Sequence, residues 1–228
     1  MHGCVLRANF RQRFFHTRTA MLELHDFRKS YEGRLVLGVP SLTLGPGIYW
    51  IQGPNGSGKS SLLRAIAGIT PYSGRIVAGG LDGRRDRAAF CRVVNWAEAE
   101  PLYPAFLTGR DLLQFYLDTK GGSAERAKEL LDDFGMNEYM QQRLGTWSSG
   151  MTKKLSLVLA FTGAPKWILL DEPLITLDAA AQATCLGLVA RYQAEGCSFL
   201  LSSHQELGAA AFAFETLYIA NKTLEARL

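Results

Sequence analysis

Cysteine is scarce in this chain, and its few residues lie far apart. The four cysteines are Cys4, Cys91, Cys185 and Cys197, and no two of them form a C-x-x-C pair. This spacing argues against a zinc site or a disulfide framework, and it is typical of a protein from a reducing compartment.

Long apolar runs are also missing. No uninterrupted apolar stretch reaches the ~18 residues that a membrane-spanning helix needs, so we expect that the chain does not cross a membrane by itself. Its 47% hydrophobic and 20% charged residues are ordinary for a globular protein. A length of 228 residues suits one large domain, or a domain with an inserted lobe.

Acidic residues are absent from residues 1–20, where the basic residues are Arg7, Arg11, Arg13 and Arg18. These arginines account for the net charge of +4, so the remainder is balanced and has no basic cluster of the kind that nucleic acid requires. We therefore expect no nucleic-acid partner. We expect residues 1–20 to be a disordered or over-extended terminus before a start at Met21, with a targeting signal or an interaction arm as alternatives.

The strongest motif is a glycine-rich loop that fits the pattern G-x-x-x-x-G-K-[ST] and lies between an apolar strand, 48–51, and a helix. Its members are Gly53, Pro54, Asn55, Gly56, Ser57, Gly58, Lys59 and Ser60. The glycines allow successive N–H groups to turn inward around a phosphate, and the helix that follows adds its unpaired N–H groups. The loop predicts a nucleoside-triphosphate site, but alone it does not exclude kinases or GTPases.

Strands and helices alternate through most of the remaining chain, which predicts an α/β fold with a mostly parallel sheet. An antiparallel N-terminal sheet precedes the loop, and consecutive helices at about 98–163 indicate an inserted helical subdomain within a domain of 21–228. We expect helices at about 61–68, 111–118, 123–135, 150–163, 179–194 and 205–212. We expect strands at about 21–27, 35–37, 42–44, 48–51, 74–77, 167–170, 197–201, 215–219 and 223–226. On the helix at 150–163 we place Lys153 and Lys154 on the solvated face.

Four further features follow the loop in a fixed order. They are the turn Ser148-Ser149-Gly150, the adjacent acids Asp171 and Glu172, the pair Leu177-Asp178, and His204 after a strand. Each is ordinary alone: a capped helix, a solvated turn or a structural histidine. Their order after a phosphate loop is what makes them informative together, because the acids end a buried parallel strand where open α/β sheets bind ligands.

This arrangement resembles the ATP-binding cassette of ABC transporters, from Met21 to the C-terminus. The matching segments are Gly53–Ser60 for the phosphate loop, Trp167–Glu172 for the acidic strand, Trp147–Met151 for the signature motif, Ile175–Asp178 for the D-loop, His204 for the switch histidine and Tyr31 for the aromatic residue on adenine. The resemblance implies a P-loop NTPase core and a Mg2+-dependent ATPase.

The resemblance also implies a role for each residue. The loop residues with Ser61, Tyr31 and Asp178 would bind ATP, and Lys59 would reach the β- and γ-phosphates. Ser60 and Asp171 would hold magnesium. Glu172 would orient and deprotonate the attacking water, and His204 would sense the γ-phosphate. Ser148 and Gly150 would close over the ATP that the opposite subunit holds.

Three positions depart from the family's pattern. The signature has Trp147 for Leu and Ser149 for Gly, and Ser149 would cost on the order of 1 kcal/mol if its φ had to be positive. In the Q-loop, Glu98 stands where a Gln is expected. A carboxylate there can still accept a magnesium contact, so Glu98 is a further candidate metal ligand.

The function that follows is that of the ATP-binding subunit of a transporter. Its partners would be a second cassette, identical or different, and an integral membrane permease that holds the subunit at the cytoplasmic face of the membrane. The alternatives are a soluble cassette ATPase outside transport and a regulatory module that binds ATP with little turnover. The transported substrate and its direction do not follow from the sequence.

Overall fold

Ten strands join into one sheet in the part of the chain that this computed structural model describes, residues 21–203 and 212–227. The elements are β1 (Leu22–Tyr31), β2 (Arg34–Leu44), β3 (Ile48–Gln52), α1 (Lys59–Ile66), β4 (Ser73–Ala78), β5 (Leu81–Asp82), α2 (Arg87–Val93), β6 (Val94–Ala97), α3 (Gly109–Lys120), α4 (Ala124–Asp133), α5 (Ser149–Phe161), β7 (Trp167–Asp171), α6 (Ala179–Ala194), β8 (Ser198–Ser202), β9 (Glu215–Ala220) and β10 (Thr223–Arg227). Two short 3-10 helices, Asn137–Tyr139 and Leu144–Thr146, lie between α4 and α5. The expected α/β class is confirmed.

The strand order explains where a ligand can bind. It is β5-β4-β1-β2-β10-β9-β3-β8-β7-β6, and β3 pairs in parallel with β8 and β9, as β7 does with β8 and β6. The carboxyl ends of β3, β8, β7 and β6 therefore lie side by side at one edge of the sheet. That edge is where open parallel sheets bind ligands.

The core lies on both faces of this parallel part. Successive side chains of a strand point to opposite faces, and on β7 Ile168 and Leu170 join one buried cluster while Trp167 and Leu169 join another. The first cluster contains apolar residues of α3, α4, α5 and α6, and the second contains those of α1 and of β1 and β2. Both faces of the parallel part of the sheet are thus covered, so a ligand would bind at the ends of its strands.

No strand interrupts the chain between β6 and β7, where three helices follow one another. Thr108 and Asp111 form a capping box at the start of α3, and the Ser123 side chain accepts the Arg126 N–H at the start of α4. Each cap satisfies backbone N–H groups that a helix leaves unpaired at its first turn. Among the described residues no helix is both long and apolar enough to cross a membrane.

Three local expectations differ from the structure. The pieces expected at 35–37 and 42–44 belong to one strand, β2, which pairs with β1 along its length. The polar segment after β4 contains α2, and β6 follows it directly. β6 escaped prediction because it has only four residues and contains Asn95, whose side-chain N–H groups reach the carbonyls of Ala160 and Thr162 at 2.8 and 2.7 Å. The helix expected at 205–212 falls mainly on residues outside the described part, as residues 1–20 do.

Candidate functional site

The glycine-rich loop takes backbone conformations that side chains rarely adopt. Gly53, Gly56 and Gly58 have φ angles of 152°, 75° and 106°. A Cβ on Gly53 would lie 2.8 Å from the Ile219 carbonyl oxygen, so only glycine fits there. The loop and Glu172 line a common cavity of about 330 Å³. The predicted phosphate loop is therefore open to a ligand and faces the predicted catalytic acid.

The side chain of Lys59 lies within this loop and is 6% exposed. Its ammonium donates to the carbonyl oxygens of Gly53 at 2.8 Å and Pro54 at 3.2 Å. Burial lowers the pKa of Lys59, and the nearby charges of Glu172 and Asp171 oppose that shift. A cation held beneath the glycine-rich loop is placed to bind anionic phosphate oxygens.

Asp171 connects the ends of β7 and β8 to the start of α1. Its Oδ1 accepts hydrogen bonds from the hydroxyls of Ser60 at 3.0 Å and Ser202 at 2.5 Å. Its Oδ2 is buried and has no hydrogen-bond partner among the described residues. A buried carboxylate oxygen without a partner is unfavourable unless a cation or a donor joins it.

The oxygen ligands at this position fit magnesium. Asp171 and Ser60 supply hard oxygen atoms, and Mg2+ binds through one or two carboxylates together with phosphate oxygens and water. Within residues 21–203 and 212–227 no three His, Cys, Asp or Glu side chains come together as a metal site of their own. The residues present therefore suit a cation that arrives with a phosphate ligand.

Glu98 has a different partner in this structure. Its carboxylate pairs with the Arg64 guanidinium at 2.7 Å, and Arg64 lies on α1, the helix that begins at the phosphate loop. The Glu98 side chain is 31% exposed, so the pair is partly screened by solvent. The hypothesis that Glu98 contacts magnesium stays a prediction, and the structure adds Arg64 as a competitor for the same carboxylate.

Glu172 follows Asp171 directly and has a φ of 45°, which is uncommon for a residue with a side chain. Its N–H donates to the Ser202 carbonyl oxygen at 3.0 Å, and its side chain lines the phosphate-loop cavity. Such backbone conformations cost of order 1 kcal/mol and cluster at functional sites. The predicted switch residue His204 lies outside the described residues.

The predicted adenine-stacking residue, Tyr31, lies at the end of β1 and is 46% exposed. Its hydroxyl is 3.4 Å from the Ser61 hydroxyl on α1, which places the ring beside the phosphate loop. The Lys29 ammonium lies 4.3 Å from the ring centroid and donates to the Pro71 carbonyl oxygen at 2.8 Å. Sequence reasoning missed Lys29, a buried cation that supports one face of the Tyr31 ring by a cation–π contact.

The signature turn caps α5. The Ser148 side chain accepts the Met151 N–H at 3.2 Å, and a Cβ on Gly150 would lie 2.9 Å from the Thr176 carbonyl oxygen. Ser148 and Ser149 are exposed. Ser149 is the first residue of α5 and is not among the residues with positive φ, so the strain considered for this position is absent.

Trp147 packs against the start of α3 and the 3-10 helix Asn137–Tyr139. Its ring meets that of Tyr139 edge-to-face, with centroids 5.0 Å apart, and it lies over the start of α3, where a Cβ on Gly109 would be 2.5 Å away. The departure from Leu at this position is therefore matched by a glycine that makes room for the larger ring.

The D-loop residue Asp178 caps α6, where its carboxylate accepts the Ala181 N–H at 2.8 Å. That bond and the Lys154 ammonium, 3.3 Å away, lower the pKa of Asp178. Lys154 belongs to α5, so the signature helix and the D-loop are joined twice, by this ion pair and by the contact of Gly150 with Thr176.

The prediction that Lys153 faces solvent is wrong. Its side chain is fully buried, and its ammonium donates to the carbonyl oxygens of Glu98 at 2.7 Å, Asp171 at 3.0 Å and Ala99 at 3.3 Å. Burial lowers the pKa of Lys153 to about 8, although the charges of Asp171, Glu172 and Glu98 oppose the shift. The sequence signal for the burial of Lys153 is the run Leu155–Phe161. This run is mostly apolar, so the part of α5 that follows Lys153 has no solvated face.

Comparison with known proteins agrees with the motifs. A protein-family model described as ABC transporter matches residues 39–175, more than half of the chain. The linearmycin resistance ATP-binding protein LnrL of Bacillus subtilis (strain 168) is 29% identical over 191 residues, which cover 81% of this chain and 61% of that protein. The cytochrome c biogenesis ATP-binding export protein CcmA of Yersinia pestis is 32% identical over 206 residues, which cover 88% of this chain and 94% of that protein.

A solved structure shares the fold. The ATP-binding subunit of an ABC transporter superposes with a TM-score of 0.81, covering 90% of this chain and 88% of that chain, at 24% sequence identity. The resemblance drawn from the motifs is confirmed by the family match and by these relatives.

Proposed function

Because this chain belongs to the ABC transporter family, as an ATP-binding and ATP-hydrolysing subunit, we propose that it drives a separate membrane permease. ATP binding closes a pair of cassettes and hydrolysis reopens them. The second cassette is identical or different, and the permease holds the subunit at the cytoplasmic face of the membrane. The names of LnrL and CcmA, a resistance protein and an export protein, support a role in transport.

One observation carries this proposal: the phosphate loop and both acids meet at the carboxyl ends of β3 and β7, the two strands that flank β8. Ser60, at the start of α1, donates to Asp171 at the end of β7, and Glu172 lines the cavity that the loop forms. A nucleotide gripped by the loop would thus have its terminal phosphate beside both carboxylates. This is the geometry that phosphoryl transfer requires, because it depends mainly on positioning and charge stabilisation.

The loop and its helix supply the grip. The inward N–H groups of the loop and the first turn of α1 would bind the β- and γ-phosphates, and Lys59 would neutralise their charge. Ser60 and the Asp171 Oδ2 would hold magnesium. Magnesium held there would offset the negative charge that develops during transfer.

Hydrolysis needs a base for the attacking water. We assign this role to Glu172, which lies in the same cavity and whose peptide N–H is fixed by the Ser202 carbonyl. A general base of this kind accelerates proton transfer by roughly 10²- to 10⁴-fold. His204 would brace the water, and Glu98, when it is not paired with Arg64, would add an oxygen ligand near the cation.

The site is completed by a second subunit. Ser148 is exposed at the N-terminus of α5, where the helix presents unpaired N–H groups to an anion. In a head-to-tail pair, Ser148 and Gly150 of one cassette would close over the γ-phosphate bound by the other. A single chain should therefore hydrolyse ATP poorly.

The segment after Glu98 exposes two large apolar side chains. Leu102 is 92% exposed and Phe106 is 73% exposed, and both precede α3. Large apolar side chains exposed within one short segment are consistent with a protein contact site. We propose that this segment contacts the membrane subunit, so that a movement of the backbone at Glu98 is transmitted to the permease.

The substitution Glu172→Gln tests the proposal. We expect the variant to bind ATP and to pair with a second cassette, while its hydrolysis rate falls by about 10²-fold or more because an amide is not a base. The control is Glu129→Gln, which removes an exposed carboxylate from α4. Steady-state ATPase activity and size-exclusion chromatography with ATP provide the measurements. Normal turnover in Glu172→Gln would refute the assignment of the base.

The permease link needs its own measurement. Membrane proteins that co-purify with the tagged chain are identified, and ATPase activity is compared with and without that partner. Stimulation by an integral membrane partner supports transport. Unchanged activity and no such partner would favour a soluble ATPase, and ATP binding with no turnover in either state would favour a regulatory module.

A further inference from the structure

A fully buried lysine on the signature helix connects three carbonyl oxygens that belong to two different parts of the site. Lys153 is 0% exposed, and its ammonium reaches Glu98 and Ala99 after β6 and Asp171 at the end of β7. An ammonium has three donors, so these acceptors account for all of them. Burial of a cation is unfavourable, and an apolar residue in this position would avoid that cost.

Lys153 lies at the carboxyl ends of β6 and β7 and binds backbone atoms that follow or end both strands. The parallel pairing of β6 with β7 ends at Ala97 and Leu170. The next residues along the chain are Glu98, just after β6, and Asp171, the last residue of β7, and Lys153 donates to the carbonyl oxygen of each. The side chain thus joins the two strands where their own hydrogen bonds stop.

The same contact fixes the peptide that carries the proposed base. The carbonyl oxygen of Asp171 accepts from Lys153 at 3.0 Å, and the N–H of the same peptide, which belongs to Glu172, donates to the Ser202 carbonyl at 3.0 Å. The peptide is therefore held on both sides. Such restraint is what a residue with a φ of 45° needs, because the strained conformation persists only where its surroundings determine it.

We infer that Lys153 is a positioning residue for ATP hydrolysis, which holds the Asp171–Glu172 peptide and the backbone at Glu98 in one arrangement. This inference rests on the proposed role of Glu172. Lys153 does not line the phosphate-loop cavity and acts only through the peptides that it binds. It also connects α5, whose first turn carries the signature residues, to the water-activating side of the same subunit.

The test compares two lysines of the helices between β6 and β7, the fully buried Lys153 and the half-buried Lys120. Lys153→Met removes the three donors and keeps an unbranched side chain. Lys120→Met is the matched control, because Lys120 donates to the carbonyl oxygens of Cys91 and Val94 at the opposite end of β6. We expect Lys153→Met to lower kcat about 10- to 100-fold, as small misplacements of catalytic groups do, with KM for ATP changed less than about threefold. Lys120→Met should leave both constants of the folded protein near those of the unsubstituted chain.

Two further measurements separate positioning from general damage. Hydrogen exchange of the backbone N–H groups of Asp171 and Glu172, read by mass spectrometry, should speed up in Lys153→Met and not in Lys120→Met. Lys153→Arg, which keeps a cation and its donors, should recover part of kcat. In the Glu172→Gln background, Lys153→Met should lower the remaining rate by less than about threefold, because both changes act on the same group.

The outcomes distinguish this inference from the assignment of the base. Unchanged exchange at Asp171 and Glu172, an equal loss of kcat in Lys120→Met, or full additivity with Glu172→Gln would each overturn the positioning role. Normal turnover in Glu172→Gln alone would instead refute the assignment of Glu172 as the base. The exchange measurement would then still show whether Lys153 restrains the Asp171–Glu172 peptide.

Discussion

A lysine side chain binds backbone carbonyls at each end of β6, and the two lysines have different roles. At the amino end, Lys120 donates to the carbonyls of Cys91 and Val94, and at the carboxyl end Lys153 donates to those of Glu98 and Ala99. Burial lowers the pKa of both ammonium groups. The Lys120 contacts join only α3 to the region around β6, whereas Lys153 also binds Asp171 of the proposed active site.

The difference follows from the direction of the strands. The carboxyl ends of β3, β7 and β8 bring together Ser60, Asp171 and Ser202 in one hydrogen-bonded group. Towards the amino end, Asn95 binds the carbonyls of Ala160 and Thr162 at the end of α5. Buried polar groups near the amino ends hold elements in place, and those at the carboxyl ends also belong to the proposed ligand site. Substitutions at the two ends should therefore separate stability from chemistry.

The largest effect is expected at the carboxyl end, for Lys59→Ala. The substitution removes the cation that lies within the phosphate loop. ATP affinity should fall about 100-fold, because charge-assisted hydrogen bonds of about 3 kcal/mol are lost. Titration calorimetry measures the affinity, with the exposed Lys128→Ala on α4 as the control. Unchanged ATP affinity would contradict the phosphate-loop assignment. It would also mean that the carboxyl ends of the strands do not differ from the amino ends in ligand binding.

Towards the amino end, Asn95→Ala should affect stability alone. It leaves the buried carbonyls of Ala160 and Thr162 without their side-chain donor, which should lower the free energy of unfolding by about 2 kcal/mol. Denaturant titration measures this loss. We expect the hydrolysis rate per folded molecule to stay within about twofold of that of the unsubstituted chain. A large fall in that rate would show that the two ends are not separable.

Tyr31→Ala tests how far the ligand-binding end extends beyond the phosphates. Stacking of a base on an aromatic ring contributes about 1–3 kcal/mol, and the exposed Tyr31 ring is backed by Lys29. ATP affinity should fall about tenfold, and inorganic triphosphate, which has no base, should bind both proteins equally. Tyr31→Phe is the control that retains the ring. Equal loss for triphosphate would mean that Tyr31 supports the loop and not the base.

The smallest effect is expected for Ser149→Gly, which restores the residue usual in the family. Ser149 begins α5 without a positive φ, so glycine relieves no strain. The free energy of unfolding should change by less than about 1 kcal/mol, and in the direction of lower stability, because glycine is the poorer helix former. Thermal denaturation checks the stability and steady-state ATPase activity checks the function. A gain of severalfold in turnover would show that Ser149 weakens the signature contact.

Features with a local cause could be predicted from the sequence. The phosphate loop needs glycines at set positions, and the acids Asp171 and Glu172 follow an apolar run whose short length favours a buried strand. The α/β class followed from the alternation of strand and helix patterns. These inferences required no knowledge of which elements touch.

Features that depend on tertiary contacts could not be predicted in this way. The strand β6 contains a polar residue that only the carbonyls at the end of α5 make acceptable, and Lys153 is buried because acceptors from two other segments surround it. The pairing of Glu98 with Arg64 likewise joins residues far apart in the chain. Two adjacent lysines indicate a solvated helix face when only the sequence is known, and the spatial neighbours of Lys153 are needed to show that it is buried.

In the proposed pair of cassettes, the spacing of Ser148 and Lys153 along α5 and its cap would set the distance between contacts with two active sites. Ser148 caps the helix and would face the nucleotide of the opposite cassette, while Lys153, five positions later, is fastened to the Asp171 peptide of its own. At a rise of 1.5 Å per residue, about 7–8 Å of rigid helix separates these contacts. A small shift of the first turn of α5, as the neighbouring nucleotide is bound or released, would move both contacts together. The two ATP molecules of a pair would then communicate through little more than one helical turn on each side.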